Sequence, residues 1–299
     1  MRWNELPRSD NVEDRRADGP RGMPMGRTGG IGIGTLIVLC LIGWALGINP
    51  LDLIEGQIGS SDTQQQSQPA PGQAETQAPS DQMGQFVAAV LGSTEVQWKE
   101  IFAAAGKKYE PPTLVMFSGA TRSACGFAQA AMGPFYCPND RKVYLDTSFF
   151  QDLERRFRGC EVGSKGCQFS QAYVITHEIG HHVQNLLGIL PKVQETQRGM
   201  DQAEANQFQV RVELQADCLA GVWAHHAEDK WRLIEPGDVE SAMQTAAAIG
   251  DDRLQRRSQG YVVPDAFTHG SSAQRTRWFL AGLKSGELAS CDTFGARQL

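Results

Sequence analysis

The chain has 299 residues, 41% of them hydrophobic, enough for one large core or two average ones with appendages. Its formal net charge of −6 gives no basic face for a phosphate backbone, so no nucleic acid is expected as a partner.

In chain order, residues 1–27 carry Arg2, Arg8, Arg15, Arg16, Arg21 and Arg27 among Pro and Gly, and read as a short charged tail, disordered or weakly attached to lipid headgroups. Next comes "IGIGTLIVLCLIGWALGI", residues 31–48, uncharged throughout; with its neutral flanks it predicts a single transmembrane helix over 28–50. The run starts late and leads into "GINPLDLI" with no small-x-small site, which favours a retained anchor over a cleaved signal. No Lys or Arg follows Arg27 until Lys99. Basic residues stay on the cytoplasmic side. The expected placement is therefore a bacterial cytoplasmic membrane, crossed once, with a cytoplasmic tail at 1–27 and a periplasmic or extracellular domain. Residues 51–83, rich in Gln, Ser and Pro, predict a flexible tether. The folded domain is expected over 84–299.

That domain opens with "QFVAAVLGSTEVQWKEIFAAAG", which fits one or two amphipathic helices interrupted around Gly92. "PPTLVMFSG" and "KVYLDTSFF" read as strands. Helical patterns follow: one through Arg158, then about 169–187, 203–229, 238–249 and 271–283. The fold class is α+β, mostly helical, with a small sheet. Cys40 lies in the apolar run, leaving six cysteines in a part expected to be oxidised. "CEVGSKGC" closes a short loop, so Cys160–Cys167 is the first expected bridge, then Cys125–Cys137, then Cys218–Cys291.

The stretch "ITHEIGHHVQ" contains HExxH: His177 and His181 stand one helical turn apart and can share a metal, with Glu178 as a general base. A catalytic zinc needs a third protein ligand. The extended pattern HExxHxxGxxH does not supply it, because Gln184 and Leu187 stand at its Gly and His positions. The alternative is a glutamate with an acidic residue one turn later, to orient a ligand histidine. Of the glutamates after His181, only Glu213 has such a partner, Asp217, in "VELQADCLAG". The two lie about 40° apart around a helix. Their neighbours are apolar, and a buried carboxylate is costly without a cation.

HExxH followed by ELQAD resembles the zinc peptidases of the HtpX and CAAX-prenyl endopeptidase type. The wider set of "MRWNELPRSDNVEDRR", "SACG", "GPFYCPND", "VYLD", "THEIGHHVQ", "ELQADCLAG" and "HGSSAQR" resembles the bacterial "putative neutral zinc metallopeptidase" family. That resemblance implies a zincin-like domain with one Zn2+ per chain on His177, His181 and Glu213, acting on a peptide or protein substrate. HtpX-like enzymes carry a similar His and Arg after their third ligand, which implies His269 for oxyanion stabilisation and Arg275 for positioning.

The expected function is a membrane-anchored endopeptidase that hydrolyses peptide bonds with a zinc-activated water, attached to the lipid bilayer through residues 31–48. Two other readings stand beside it: a catalytically idle, zinc-stabilised envelope scaffold, and a non-peptide hydrolase. Glu178 separates enzyme from scaffold, since a structural zinc site needs no base. His182 is rotated away from His181, and His225 and His226 fall on a helix end, so none is expected as a ligand. "KVYLD" is expected to be a sheet edge along which an extended substrate pairs, with Asp146 at its end.

Overall fold

The structure, a computed structural model, describes residues 1–18, 79–129, 133–155, 158, 160 and 166–299. It starts with a 3₁₀ turn, Trp3–Glu5, and a short strand β1, Val12–Asp14. Helix α1 is Gln82–Ala104. Strand β2 (Thr113–Phe117) precedes a hairpin of β3 (Ala120–Ser123) and β4 (Gly126–Gln129), then β5 (Phe135–Cys137) and β6 (Lys142–Asp146). The remainder is helical: α2 (Ser148–Arg155), α3 (Gly166–Leu186), α4 (Ile189–Gln197), α5 (Gln202–Trp231), α6 (Asp238–Ala248), α7 (Asp251–Gln259) and α8 (Ser272–Ser285). This is the mostly helical α+β architecture that the periodicity predicts.

The sheet has the order β1-β2-β6-β5, parallel except for β5. Alternation along the strands divides its two faces. Leu114, Met116, Val143 and Leu145 join the large helical core, whereas Val115, Phe117 and Tyr144 form a smaller cluster with Cys137 and Ala128 of the hairpin. Strand β6 lies between β2 and β5, so "KVYLD" is not an edge; its main-chain groups are already paired on both sides. Among the described residues the edge on that side of the sheet is β5.

The expected tail, 1–27, is corrected for residues 1–18, and so is its separation from a domain beginning at 84. Met1, Trp3, Leu6 and Val12 are buried in the main core, and β1 pairs with β2 over Val12–Leu114, Glu13–Val115 and Asp14–Met116. The Trp3 ring meets Phe86 edge-on at 5.6 Å. Gly92 does not interrupt α1, which runs through it. A Cβ there would lie 2.4 Å from the Pro7 carbonyl oxygen and 2.8 Å from the Ser9 nitrogen, so the glycine is the seat on which the N-terminal segment rests. Asp81 caps α1 by accepting from the Gly84 amide at 2.9 Å, so ordered chain begins before 84.

The expected membrane span 28–50, with Cys40, and the tether up to residue 78 lie outside the described residues. Among the described residues no helix is long and apolar enough to cross a membrane. The three disulfides join Cys160–Cys167, Cys125–Cys137 and Cys218–Cys291, the pairs expected.

Candidate metal centre

Helices α3 and α5 pack with their backbones close together at Gly180 and Ala216. A Cβ on Gly180 would stand 3.1 Å from both the Cα and the carbonyl oxygen of Ala216. This contact lies between His177 and His181 on one helix and between Glu213 and Asp217 on the other, so it sets how near the two pairs come. Glu213 Oε2 is 3.2 Å from His177 Nε2 and 3.6 Å from His181 Nε2, and one ligand atom from each of the three residues lies within 4.8 Å of the others. Two imidazole nitrogens and a carboxylate oxygen facing one point are a donor set suited to zinc.

The electrostatics of the three residues fit a cation at that point. Burial disfavours the charge on Glu213, yet His181 and His177 outweigh it and hold the carboxyl well below its usual range. Burial also opposes protonation of His177, but Asp217 and Glu213 raise its pKa to about 10. The carboxylates thus call for positive charge at the spot where the nitrogens converge. A divalent metal meets that demand.

Asp217 is fully buried and orients His177 through a 2.8 Å bond to Nδ1. Arg275, also buried, donates to it from Nε (2.8 Å) and Nη2 (2.9 Å), and the Tyr173 hydroxyl donates at 2.6 Å. Burial alone would raise Asp217; Arg275 and His177 bring it down to about 2. The sequence places Arg275 in a positioning role, and the structure gives the route: its guanidinium is taken up by Asp217, Tyr173 and the Ile249 carbonyl.

His177, His181, Glu213 and Arg275 line a cleft of about 530 Å³, together with Glu178 and His269. Burial raises the Glu178 carboxyl, with His181 and His177 working against it. Ser271, not His269, caps α8, in a capping box with Gln274. That leaves the His269 ring at the cleft, its Nδ1 at 3.2 Å from Asp251 Oδ1. Asp251 also accepts from the amides of Thr268, His269 and Gly270 at 2.7, 2.6 and 3.0 Å, which fixes the loop. Against desolvation, Asp251 and then Glu213 raise His269 above its ordinary value.

Sequence reasoning missed Asp251, Tyr173 and Gln184. Tyr173 had a signal, lying four residues before His177 on the same face of α3. Gln184, whose Oε1 is 2.9 Å from His181 Nδ1, had the equivalent one three residues after His181. Asp251 had none, because its partner lies 18 residues away, beyond the rest of α7 and the irregular segment that follows it. The remaining histidines are structural. His182 is pushed down to about 4 by burial and sits between the Tyr136 hydroxyl and the Glu110 carbonyl. His225 and His226 meet the carbonyls of Leu283 and Gly286 at the end of α8.

A family model described as "Putative neutral zinc metallopeptidase" matches residues 1–294. Among curated proteins, the "Uncharacterized protein YpfJ" of Escherichia coli (strain K12) is 47% identical over 303 residues, covering 99% of each chain. The "Uncharacterized protein Rv2575" of Mycobacterium tuberculosis (strain H37Rv) is 42% identical over 222 residues, 71% of each chain. No solved structure matches.

Proposed function

Since this chain belongs to the neutral zinc metallopeptidase family, we propose that it is a zinc-dependent endopeptidase, associated with a membrane through residues 31–48. The observation that carries this reading is the convergence of His177, His181 and Glu213 from two helices beside Glu178 in an open cleft.

Zinc on those three residues supplies Lewis acidity, polarising a peptide carbonyl and lowering the pKa of water. Glu178 takes the proton from the attacking water and passes it to the leaving amine. A carboxylate whose pKa is raised by burial accepts that proton more readily than an ordinary one. The rise in the His269 pKa favours its protonated form, and that ring, held through Nδ1 by Asp251, offers Nε2–H to the oxyanion that develops on the carbonyl. Asp217 keeps His177 in place, and Arg275 with Tyr173 keeps Asp217 ionised.

The cleft walls include Phe135, Phe149, Val174, Leu190, Val193 and Leu254, which favour an apolar side chain next to the scissile bond. Strand β5 contributes Phe135 and Tyr136 to the cleft, and among the described residues it pairs only with β6, so it takes over the substrate-pairing role expected of "KVYLD". Three disulfides favour an oxidising compartment for the metal centre. The test is Glu178→Gln. Zinc content should stay at wild type while cleavage of unfolded casein falls by about 10²-fold or more; undiminished cleavage would overturn the proposal.

A further inference from the structure

Both metal-binding imidazoles need a partner on Nδ1 so that Nε2 faces the centre bare. His177 has the buried Asp217. His181 has Gln184, whose side chain is fully buried and reachable by no competing water.

The neighbours of Gln184 fix which way its amide points. Its Nε2 donates to the Val212 carbonyl at 2.8 Å and to Gln215 Oε1 at 3.0 Å, and Gln215 Nε2 donates to the Cys291 carbonyl at 2.9 Å. Backbone carbonyls only accept, so both amide NH₂ groups are committed to them. Gln184 Oε1 is therefore the atom turned to His181. As an acceptor, it requires Nδ1 of that ring to carry hydrogen and leaves Nε2 free for a metal. The relay has a single polarity from Cys291 to the imidazole, and Cys291 is tied covalently to Cys218 on α5.

We propose that Gln184 is a positioning residue for the metal centre, holding His181 as its ligand tautomer and anchoring the ring through Gln215 to the Cys291 backbone. The proposal rests on the zinc reading above. It also accounts for an amide where His177 has a carboxylate. Asp217 has Arg275 as counter-ion, whereas the groups facing Gln184 on its other side are acceptors. A carboxylate at 184 would meet those acceptors with no donor and no cation. The amide orients the ring without adding charge.

The test uses the full chain with Gln184→Met, which keeps side-chain length and removes both acceptor and donor. Zinc affinity is measured by competition with a chromophoric chelator, and ligand geometry by the visible absorption of the cobalt(II)-substituted protein. Gln184→Met should weaken zinc by about 10- to 100-fold and alter the cobalt bands, and Gln215→Met should weaken it by about three- to tenfold. A folded Gln184→Met variant with zinc affinity within about twofold of wild type and unchanged cobalt bands would overturn the proposal. Should Gln184→Met not fold, Gln215→Met decides alone, and wild-type affinity there overturns it. A wild-type protein that binds no zinc would instead overturn the reading on which the proposal rests.

Discussion

Two places in this molecule join segments far apart in the chain, and they do so by different physics. At the metal centre, α3, α5 and α8 meet through buried charge: His177, Glu213, Asp217 and Arg275 are almost entirely removed from water, and each is matched by an opposite charge or a hydrogen bond. At the N-terminal seam, residues 1–18 are held to α1 and β2 by apolar burial and strand pairing, with half-exposed ion pairs around the margin, such as Arg16 with Asp14 and Asp81. Charges at the first site form one unit and fail together if one partner is lost. Those at the second are individually dispensable, and shape carries the join.

The sharpest way to break this contrast is Arg275→Met. It leaves Asp217 as a buried, poorly compensated charge, and urea denaturation should show a loss of about 3–5 kcal/mol. Gly92→Ala probes the seam by shape. Its new Cβ would press on the backbone of Pro7 and Ser9, and the cost should be about 1–3 kcal/mol with zinc affinity unchanged. The smallest effect is expected from Arg16→Gln, at about 0–1 kcal/mol, because its ion pairs are screened by solvent.

Acid sharpens the same comparison. Hydrogen bonding to Arg16 is the main cause that holds Asp14 and Asp81 below the usual carboxylate range. Groups lowered in the folded state add stability that is present above their ordinary values and is lost as pH falls into the lowered range. Protection of the Val12–Asp14 amides against exchange, corrected for the intrinsic rate at each pH, should therefore fall modestly below about pH 4, before protection in α5 does. An equal fall in both would show that the seam and the centre open as one.

The candidate metal centre was legible because side chains brought together on helices obey fixed spacings: His177 and His181 at four residues, Glu213 and Asp217 at four. Residues that act across loops, such as Asp251, obey none. The long helices were legible from their period, but β1 was hidden. "VED" between arginines has too few apolar residues to register as a strand, and what makes it one is the exposed side of β2. Gly92 misled for a related reason, since a glycine in a helix reads as a break until the backbone packed against it is seen.

The position of β1 along the chain limits how the polypeptide threads a lipid layer. β1 comes before the apolar run 31–48, and its hydrogen-bonded neighbour β2 comes after it. Paired strands share a compartment, so β1 and β2 stand on the same side of any bilayer. The one-way route inferred from arginine bias, amino end inside and metal centre outside, would tear β1 from the sheet.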